Sequence, residues 1–167
     1  MLGLGSPELQ FKALCLWFED SANRFSYQVA SIAELAGLTA GVLVAFEGRL
    51  LNRLTLGCAR RIFRAYTPAN AFTMIKRNLH LAGQREAEKD EYLIAHLAVA
   101  EGFRKQGVGQ ALLEKAAQDA RAAGYEKLVL EVEVDNHKAV ALYHKSGFEV
   151  AGTFKFNDRT SSISSPG

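Results

Sequence analysis

The sequence has few of the residue patterns that mark disulfide-rich proteins, membrane proteins and metal-binding proteins. It contains only two cysteines, Cys15 and Cys58, so a disulfide framework is not expected and a reducing, cytoplasmic compartment is the default prediction. No apolar run approaches the roughly 18 residues that a membrane span needs, and the amino end has no signal-peptide pattern. None of the four histidines stands at metal-ligand spacing to cysteines or acids, so no metal site is predicted.

The chain also lacks a strong overall charge, but its basic residues are unevenly placed. The formal net charge is only +2, so no global nucleic-acid signature is present. Residues 50–85 nevertheless contain no acid, and their apolar spacing predicts a short helix before Pro68 and a longer one after it. This pair of helices is either a solvated face or a surface for an acidic peptide, nucleic acid or an anionic membrane. Its seven basic residues are Arg53, Arg60, Arg61, Arg64, Lys76, Arg77 and Arg85.

Residues 104–109, with the sequence RKQGVG, are the most informative part of the chain. Two glycines permit a tight turn here, and the first-turn N–H groups of the helix that follows have no partners within that helix. Because the helix dipole also favours negative charge there, the turn predicts a site for an anion such as phosphate or pyrophosphate. Neither a P-loop nor the dinucleotide fingerprint GxGxxG is present.

The elements around this turn are predicted from apolar spacing and cap residues. A buried strand is predicted over residues 92–99, followed by a long helix from Val108 that ends at Gly124. A second strand is predicted over 127–134 and a short helix over 137–146, capped by Asn136 and ended by Gly147. This order predicts a right-handed parallel crossover with the anion-binding turn at the carboxyl end of the first strand.

Two motifs within residues 91–154 give the chain a family resemblance. One is R-x-x-G-x-G, at Arg104, Gly107 and Gly109, and the other begins at Leu130 and reads L-E-V-x-x-x-N-x-x-A-x-x-L-Y-x-x-x-G-F. Together they resemble the acyl-CoA-binding half of the GNAT superfamily of N-acetyltransferases. The second motif is most similar to the N-terminal acetyltransferases of ribosomal proteins. The resemblance implies an α/β domain, with a mixed sheet flanked by helices and a helical insertion before the cofactor-binding strand. It also implies acetyl-CoA as co-substrate and no metal.

The resemblance further implies which residues bind the co-substrate. Main-chain groups near the end of a splayed strand would polarise the thioester carbonyl, in the manner of an oxyanion hole. The glycine turn would hold the pyrophosphate, and Asn136 would contact the cofactor besides capping its helix. Tyr143 matches a tyrosine that gives a proton to the coenzyme A thiolate, a task that suits a phenol with a pKa of about 10. The implied binding residues are Leu97, Ala98, Val99, Arg104, Lys105, Gln106, Gly107, Val108, Gly109, Asn136 and Tyr143.

Two residues are candidates for the base that deprotonates the amine. Glu131 matches a catalytic glutamate of the ribosomal-protein acetyltransferases. Its strand is expected to be covered on both faces, and burial would then raise the pKa of the Glu131 carboxyl and let it accept a proton, directly or through water. The other interpretation of Glu131 is a structural acid paired with a neighbour or with solvent. His96 is the second candidate. The other interpretation of His96 is a histidine of the core whose ring is hydrogen-bonded.

The first part of the chain follows the family only in outline. A helix is predicted from Ser6 to about Glu19, and then a hairpin of residues 25–35 and 41–46 around Ala36 and Gly37. The strand and helix that usually precede this helix in the family have no counterpart in the sequence.

The carboxyl end predicts a second departure. After a strand that ends near Phe156, residues 157–167 are polar and are predicted to form a flexible tail, which leaves residues 1–156 as a single domain. The family's last strand would then be missing. The unpaired edge that results predicts either a homodimer that exchanges its carboxyl-terminal segment or a chain of low stability.

The sequence therefore predicts an acyltransferase that moves an acetyl group from acetyl-CoA to a primary amine of a peptide, protein or small molecule. The amine would attack directly in a ternary complex. The alternative is a non-catalytic acyl-CoA-binding or interaction module whose acceptor site is incomplete. A membrane is not an expected partner, and nucleic-acid binding through residues 50–85 is the least favoured of the three functions.

Overall fold

The computed structural model describes residues 7–65, 87–156 and 159–166. The helices in these segments are α1 (Pro7–Glu19), α2 (Leu51–Ala65), α3 (Val108–Ala122) and α4 (His137–Lys145). The strands are β1 (Ala30–Leu35), β2 (Leu38–Glu47), β3 (Glu91–Val99), β4 (Lys127–Glu133), β5 (Phe148–Phe156) and β6 (Arg159–Pro166). Single 3-10 turns are formed by Tyr27–Val29, Gly48–Leu50 and Glu101–Phe103.

The chain divides into two compact units, residues 1–30 with 50–85 and residues 31–49 with 86–167. The first unit contains α1 and α2, and the second contains α3, α4 and the sheet from Ser31 onwards. The short helix predicted before Pro68 is confirmed as α2. The longer helix predicted after Pro68 lies outside the described residues.

In the first unit, side-chain hydrogen bonds fix the turn that follows α1. Asn23 is fully buried, and its amide nitrogen donates to the carbonyls of Trp17 (2.9 Å) and Asp20 (3.0 Å). Its Oδ1 accepts from the N–H of Phe25 at 2.8 Å. Arg61 of α2 donates from Nε to the Asp20 carboxylate at 2.6 Å. Of the seven basic residues in 50–85, Arg61 is therefore hydrogen-bonded to an acid of its own unit.

In the second unit, six strands form one sheet in the order β1-β2-β3-β4-β6-β5. Strand β3 runs antiparallel to β2 and parallel to β4, and β6 lies antiparallel between β4 and β5. Ala36 and Gly37 join β1 to β2 with φ values of 52° and 76°, which suit a two-residue hairpin turn. The mixed sheet and the hairpin are confirmed. The first strand starts at Ala30, however, because Tyr27–Val29 form a 3-10 turn.

Strand β6 is the main departure from the sequence prediction. The polar composition of residues 157–167 predicts a flexible tail, and this prediction is wrong over Arg159–Pro166. Residues 161–164 pair with β4, and the same strand pairs with β5 on its other side. Strand pairing uses backbone N–H and C=O groups, so a polar segment between two strands needs no apolar run. The predicted missing strand and open edge are therefore wrong too, and the dimer inferred from that edge loses its physical basis.

The core of the second unit lies between α3 and one face of the sheet. Leu128, Leu130 and Val132 are buried and alternate along β4, so they share that face. Full burial of such a side chain contributes about 1.5–3 kcal/mol, so this face anchors the helix firmly. The last residue of the helix is Ala122, and Gly124, with φ 82°, follows as the predicted glycine that stops it. The α3 residues in this cluster are Val108, Leu112, Leu113, Ala116 and Ala120.

The pairing of β6 on both sides predicts what a proline in its middle does. Ser162 lies opposite Val132 of β4 and Thr153 of β5. Ser162→Pro removes a backbone donor from a central strand, so we expect the free energy of unfolding in urea to fall by about 2 kcal/mol. Ser162→Thr keeps the donor and should change it by less than about 0.5 kcal/mol. Equal stability of all three chains would contradict the pairing.

Candidate active site

Strands β3 and β4 pair over only part of their lengths. The parallel register covers four residue pairs, from Glu91 with Lys127 to Ile94 with Leu130. Strand β3 then contains an extra residue, Ala95, in its pairing with β2, and a bulge of this kind bends its strand. In the described part of the chain, no strand pairs with β3 on its β4 side beyond this point, while the end of β4 is paired with β6. A gap therefore opens between the carboxyl ends of β3 and β4, as the family resemblance implies.

The backbone of β3 beyond the bulge directs polar groups into this gap. The N–H of Ala100 donates to the carbonyl of Ala40 in β2 at 2.9 Å. Because backbone groups alternate between the two sides of an antiparallel strand, those of Ala98 also point to β2, and those of Leu97 and Val99 point into the gap. Leu97 and Val99 can therefore pair with the amide groups of a ligand. The main-chain contact predicted for Ala98 is not supported by this register.

Two side chains hold the turn between β3 and α3 in shape. Nε of Arg104 donates to the carbonyl of Val99 at 3.4 Å, and Nε2 of Gln106 donates to the carbonyl of Gly102 at 2.9 Å. A guanidinium nitrogen of Arg104 lies 3.9 Å from the Glu101 carboxylate, and at this exposed position an ion pair contributes less than about 1 kcal/mol. The charge of Arg104 can therefore act on an anion bound at the turn.

The two glycines of the turn are required for different structural reasons. Gly107 has a φ of 82°, and an added Cβ would meet no atom within 4 Å in the described part of the chain, so the backbone conformation is what requires glycine. An added Cβ on Gly109 would lie 3.0 Å from Cδ2 of Leu142, so Gly109 lets α3 approach α4, whereas its distance of 3.6 Å from Cγ2 of Val99 would be an ordinary contact. Gly107 is also the N-cap of α3, and no side chain caps it. The first N–H groups of α3 are thus available to an anion.

Helix α4 positions Asn136 and Tyr143. Oδ1 of Asn136 accepts from the N–H of Ala139 at 3.3 Å, which confirms the predicted cap. The Tyr143 ring packs on the core, with its centre 5.9 Å from that of Phe148. Burial raises the pKa of the Tyr143 hydroxyl above its ordinary value. Tyr143 therefore keeps its proton at neutral pH and is suited to act as an acid.

Glu131 lies in a different environment from the one predicted. It is exposed, although Leu130 and Val132 on either side of it are buried. The face that carries Glu131 is covered at Val129, which is buried, but it reaches solvent at Glu131 and Glu133, so the predicted burial of Glu131 is wrong. The rise in pKa expected from burial therefore loses its basis.

His96 is also exposed, so its interpretation as a core histidine is wrong. The register places His96 opposite Val44 and the next residue, Leu97, opposite the core residue Leu43. His96 therefore lies on the sheet face that points away from the α3 core. Glu131 lies on the same face, across the gap between β3 and β4.

Gly41 of β2 belongs to the framework of this site, although the sequence patterns did not single it out. An added Cβ at this position would lie 2.9 Å from the carbonyl oxygen of Ala98 and 3.0 Å from Cδ1 of Leu112. A glycine inside an otherwise apolar strand is the sequence signal of such a close approach.

The described segments form neither a metal centre nor a membrane-spanning helix. Within residues 7–65, 87–156 and 159–166, no group of three or more His, Cys, Asp or Glu residues is placed to hold a metal ion. In the same segments, no helix has both the length and the apolar character that crossing a membrane requires.

The splayed strand, the glycine turn and the second motif define a class of protein. The Acetyltransferase (GNAT) family matches residues 11–148, which is most of the chain. The chain belongs to this family of acetyltransferases. The similarity to ribosomal-protein acetyltransferases that the second motif predicts is also found among its relatives.

Two curated relatives and one solved structure give the scale of the similarity. The ribosomal protein bS18-alanine N-acetyltransferase of Escherichia coli K12 is 39% identical over 62 residues, covering 37% of this chain and 42% of that protein. GCN5-related N-acetyltransferase 6, chloroplastic, of Arabidopsis thaliana is 34% identical over 82 residues, covering 49% of this chain and 28% of that protein. The chain thus aligns with less than half the length of both relatives. An N-acetyltransferase from Staphylococcus aureus Mu50 shares the fold, with a TM-score of 0.73 at 21% identity over 97% of this chain and 82% of its own.

The conformation of Gly107 predicts how substitutions there affect the binding of acetyl-CoA. Gly107→Val forces a β-branched residue into a left-handed conformation, so we expect affinity to fall about tenfold or more, measured by isothermal titration calorimetry. Gly107→Asn, whose side chain tolerates this conformation, should keep most of the affinity. Full affinity in a folded Gly107→Val chain would contradict the assignment of the turn as the pyrophosphate site.

Proposed function

We propose that this chain transfers the acetyl group of acetyl-CoA to a primary amine, which attacks the thioester directly in a ternary complex. The observation that carries the proposal is that the open edge of β3 and the glycine turn follow one another along the chain. The backbone edge presented by Leu97 and Val99 is at the end of β3, and the chain then forms the turn from which α3 begins. One extended ligand with amides at one end and a pyrophosphate at the other fits both features.

Residues of this chain would hold acetyl-CoA at both features. The pyrophosphate would accept hydrogen bonds from the first N–H groups of α3 and be attracted by Arg104 and Lys105, both of which are exposed. The amides of the pantetheine arm would pair with Leu97 and Val99 as an added strand does. An N–H at the same edge would polarise the thioester carbonyl as negative charge develops on its oxygen. Acetyl-CoA itself supplies the activated acetyl group.

Tyr143 is the proposed acid for the departing thiolate. Because burial raises the pKa of the Tyr143 hydroxyl, the hydroxyl stays protonated near neutral pH, so the supply of this proton does not limit the rate there. A neutral phenol next to a new thiolate can give up its proton because the acidities of the two groups are comparable. The packing of its ring against Phe148 would hold the hydroxyl in a fixed direction.

Glu131 is the proposed partner of the acceptor amine. Its exposure on the face away from α3 leaves it open to an acceptor that approaches from that side, since α3 and its core cover the other face. A carboxylate there would attract the ammonium form of the amine and take up its proton through water. His96 lies on the same face and is the second candidate for this role.

The identity of the acceptor follows only from similarity. The relative from E. coli is named for the alanine of a ribosomal protein, which favours a peptide amino terminus as the first acceptor to test. The alternative, a non-catalytic acyl-CoA-binding module, depended on a missing last strand, and the presence of β6 weakens it. A screen of amines for coenzyme A release distinguishes the two functions, because the module would bind acetyl-CoA without releasing coenzyme A. The cytoplasmic location and the homodimer stay predictions.

Tyr143→Phe removes only the hydroxyl and tests the acid. We expect kcat with the best acceptor to fall about 100-fold, while the Kd for acetyl-CoA stays within about twofold. Because burial raises the pKa of Tyr143 above the ordinary value of about 10, wild-type kcat should show no loss from its deprotonation between about pH 7 and 9. An unchanged kcat in Tyr143→Phe would assign the residue to packing alone.

Glu131→Gln and its neighbour Glu133→Gln form a matched pair, since both are exposed on the same face of β4. We expect Glu131→Gln to lower kcat/KM for the amine about 10- to 100-fold, with the loss greatest near neutral pH, where the amine must lose a proton. Glu133→Gln should change it by less than about threefold, the effect of one exposed charge. Equal effects of the two substitutions would indicate general attraction rather than a specific role for Glu131.

A further inference from the structure

We infer that Gly41 is a positioning residue that sets the separation between the two parts of the acetyl-CoA site. These parts are the glycine turn at residues 104–109 and the open backbone edge of β3. The inference rests on the proposed function, because only a ligand that spans both parts makes their separation matter. Gly41 lies in β2, outside both sequence motifs, and is buried.

The space around Gly41 is filled from two directions. An added Cβ would lie 2.9 Å from the carbonyl oxygen of Ala98, 3.0 Å from Cδ1 of Leu112 and 3.2 Å from Cγ1 of Val108. The first of these atoms is backbone, so it moves only with strand β3. The other two belong to α3, where Leu112 is 3% exposed and Val108 is 8% exposed. Neither side chain can turn out to solvent, and the χ1 of valine is stiff.

These neighbours connect Gly41 to both parts of the site. Val108 is the first residue of α3 and directly follows Gly107, so a shift of Val108 moves the N–H groups proposed for the pyrophosphate. Ala98 lies between Leu97 and Val99, whose backbone groups point into the gap. A methyl group at position 41 therefore pushes the start of α3 away from the edge of β3.

The physical consequence differs between ligands. A core relieves the strain of an added methyl group by moving apart, and here the movement separates the two parts of the site. Acetyl-CoA binds both parts and must restore their separation, so its binding free energy includes the strain. A ligand that binds only the turn meets an unstrained site. The fragment 3′-phospho-ADP is such a ligand, because it has the pyrophosphate and lacks the pantetheine arm.

The experiment compares two ligands on three chains by isothermal titration calorimetry, with folding checked by circular dichroism. For Gly41→Ala we expect the affinity for acetyl-CoA to fall about tenfold and that for 3′-phospho-ADP to change by less than about twofold. The matched control is Gly152→Ala, another strand glycine, where an added Cβ meets no atom of the described residues within 4 Å. It should bind both ligands as the wild type does.

A double variant keeps the test decisive if Gly41→Ala does not fold. In Gly41→Ala with Leu112→Val, the Cδ1 contact is removed while the contacts with the Ala98 carbonyl and with Cγ1 of Val108 remain. Because part of the strain remains, we expect this variant to bind acetyl-CoA more weakly than the wild type, by less than about tenfold, and to bind 3′-phospho-ADP as the wild type does. Equal losses for both ligands, or no loss for either, would overturn the inference and leave the proposed function standing. A wild-type chain that binds 3′-phospho-ADP but not acetyl-CoA would instead overturn the proposed function.

Discussion

The early end of the pairing between β3 and β4 is the constraint on which the site depends. After four residue pairs, β3 loses its parallel neighbour, and its backbone groups beyond Ala95 must find another partner. Where β4 diverges from β3 it keeps the hydrogen bonds of its other edge, because β6 pairs there with residues 130–133. A third strand therefore supports one side of the gap.

The packing of α3 determines what this gap can bind. A row of buried side chains fixes the helix against the sheet, and its uncapped amino end lies directly after the open part of β3. Gly41 permits this closeness, because a Cβ there would meet the Ala98 carbonyl of β3 at 2.9 Å and Leu112 of α3 at 3.0 Å, and Gly109 in the same way lets α3 approach Leu142 of α4. The N–H groups that can bind an anion and the strand edge that can bind amides are thus parts of one packed framework. The packing of the core therefore sets their relative position.

The features that the sequence predicted well are those determined by a few consecutive residues. The tight turn at Gly107, the cap at Asn136 and the stop of α3 before Gly124 follow from local chemistry. Strand β6 and the exposure of Glu131 depend instead on which distant segments lie beside them, which composition does not reveal. The polar composition of β6 does not predict a strand, although the backbone of this segment pairs with two strands. The sequence did contain a signal at Gly41, namely a glycine within an apolar strand. That signal could be interpreted only with the position of α3.

The two proposed proton-handling groups require opposite environments, and the fold supplies both. Burial disfavours the charged form of a side chain. Tyr143 must stay neutral until the thiolate departs, and its packing in the core favours the neutral phenol. A carboxylate that attracts an ammonium group must itself be charged, which hydration favours. The exposure of Glu131, although opposite to the prediction from its strand, therefore suits the role proposed for it better than burial would.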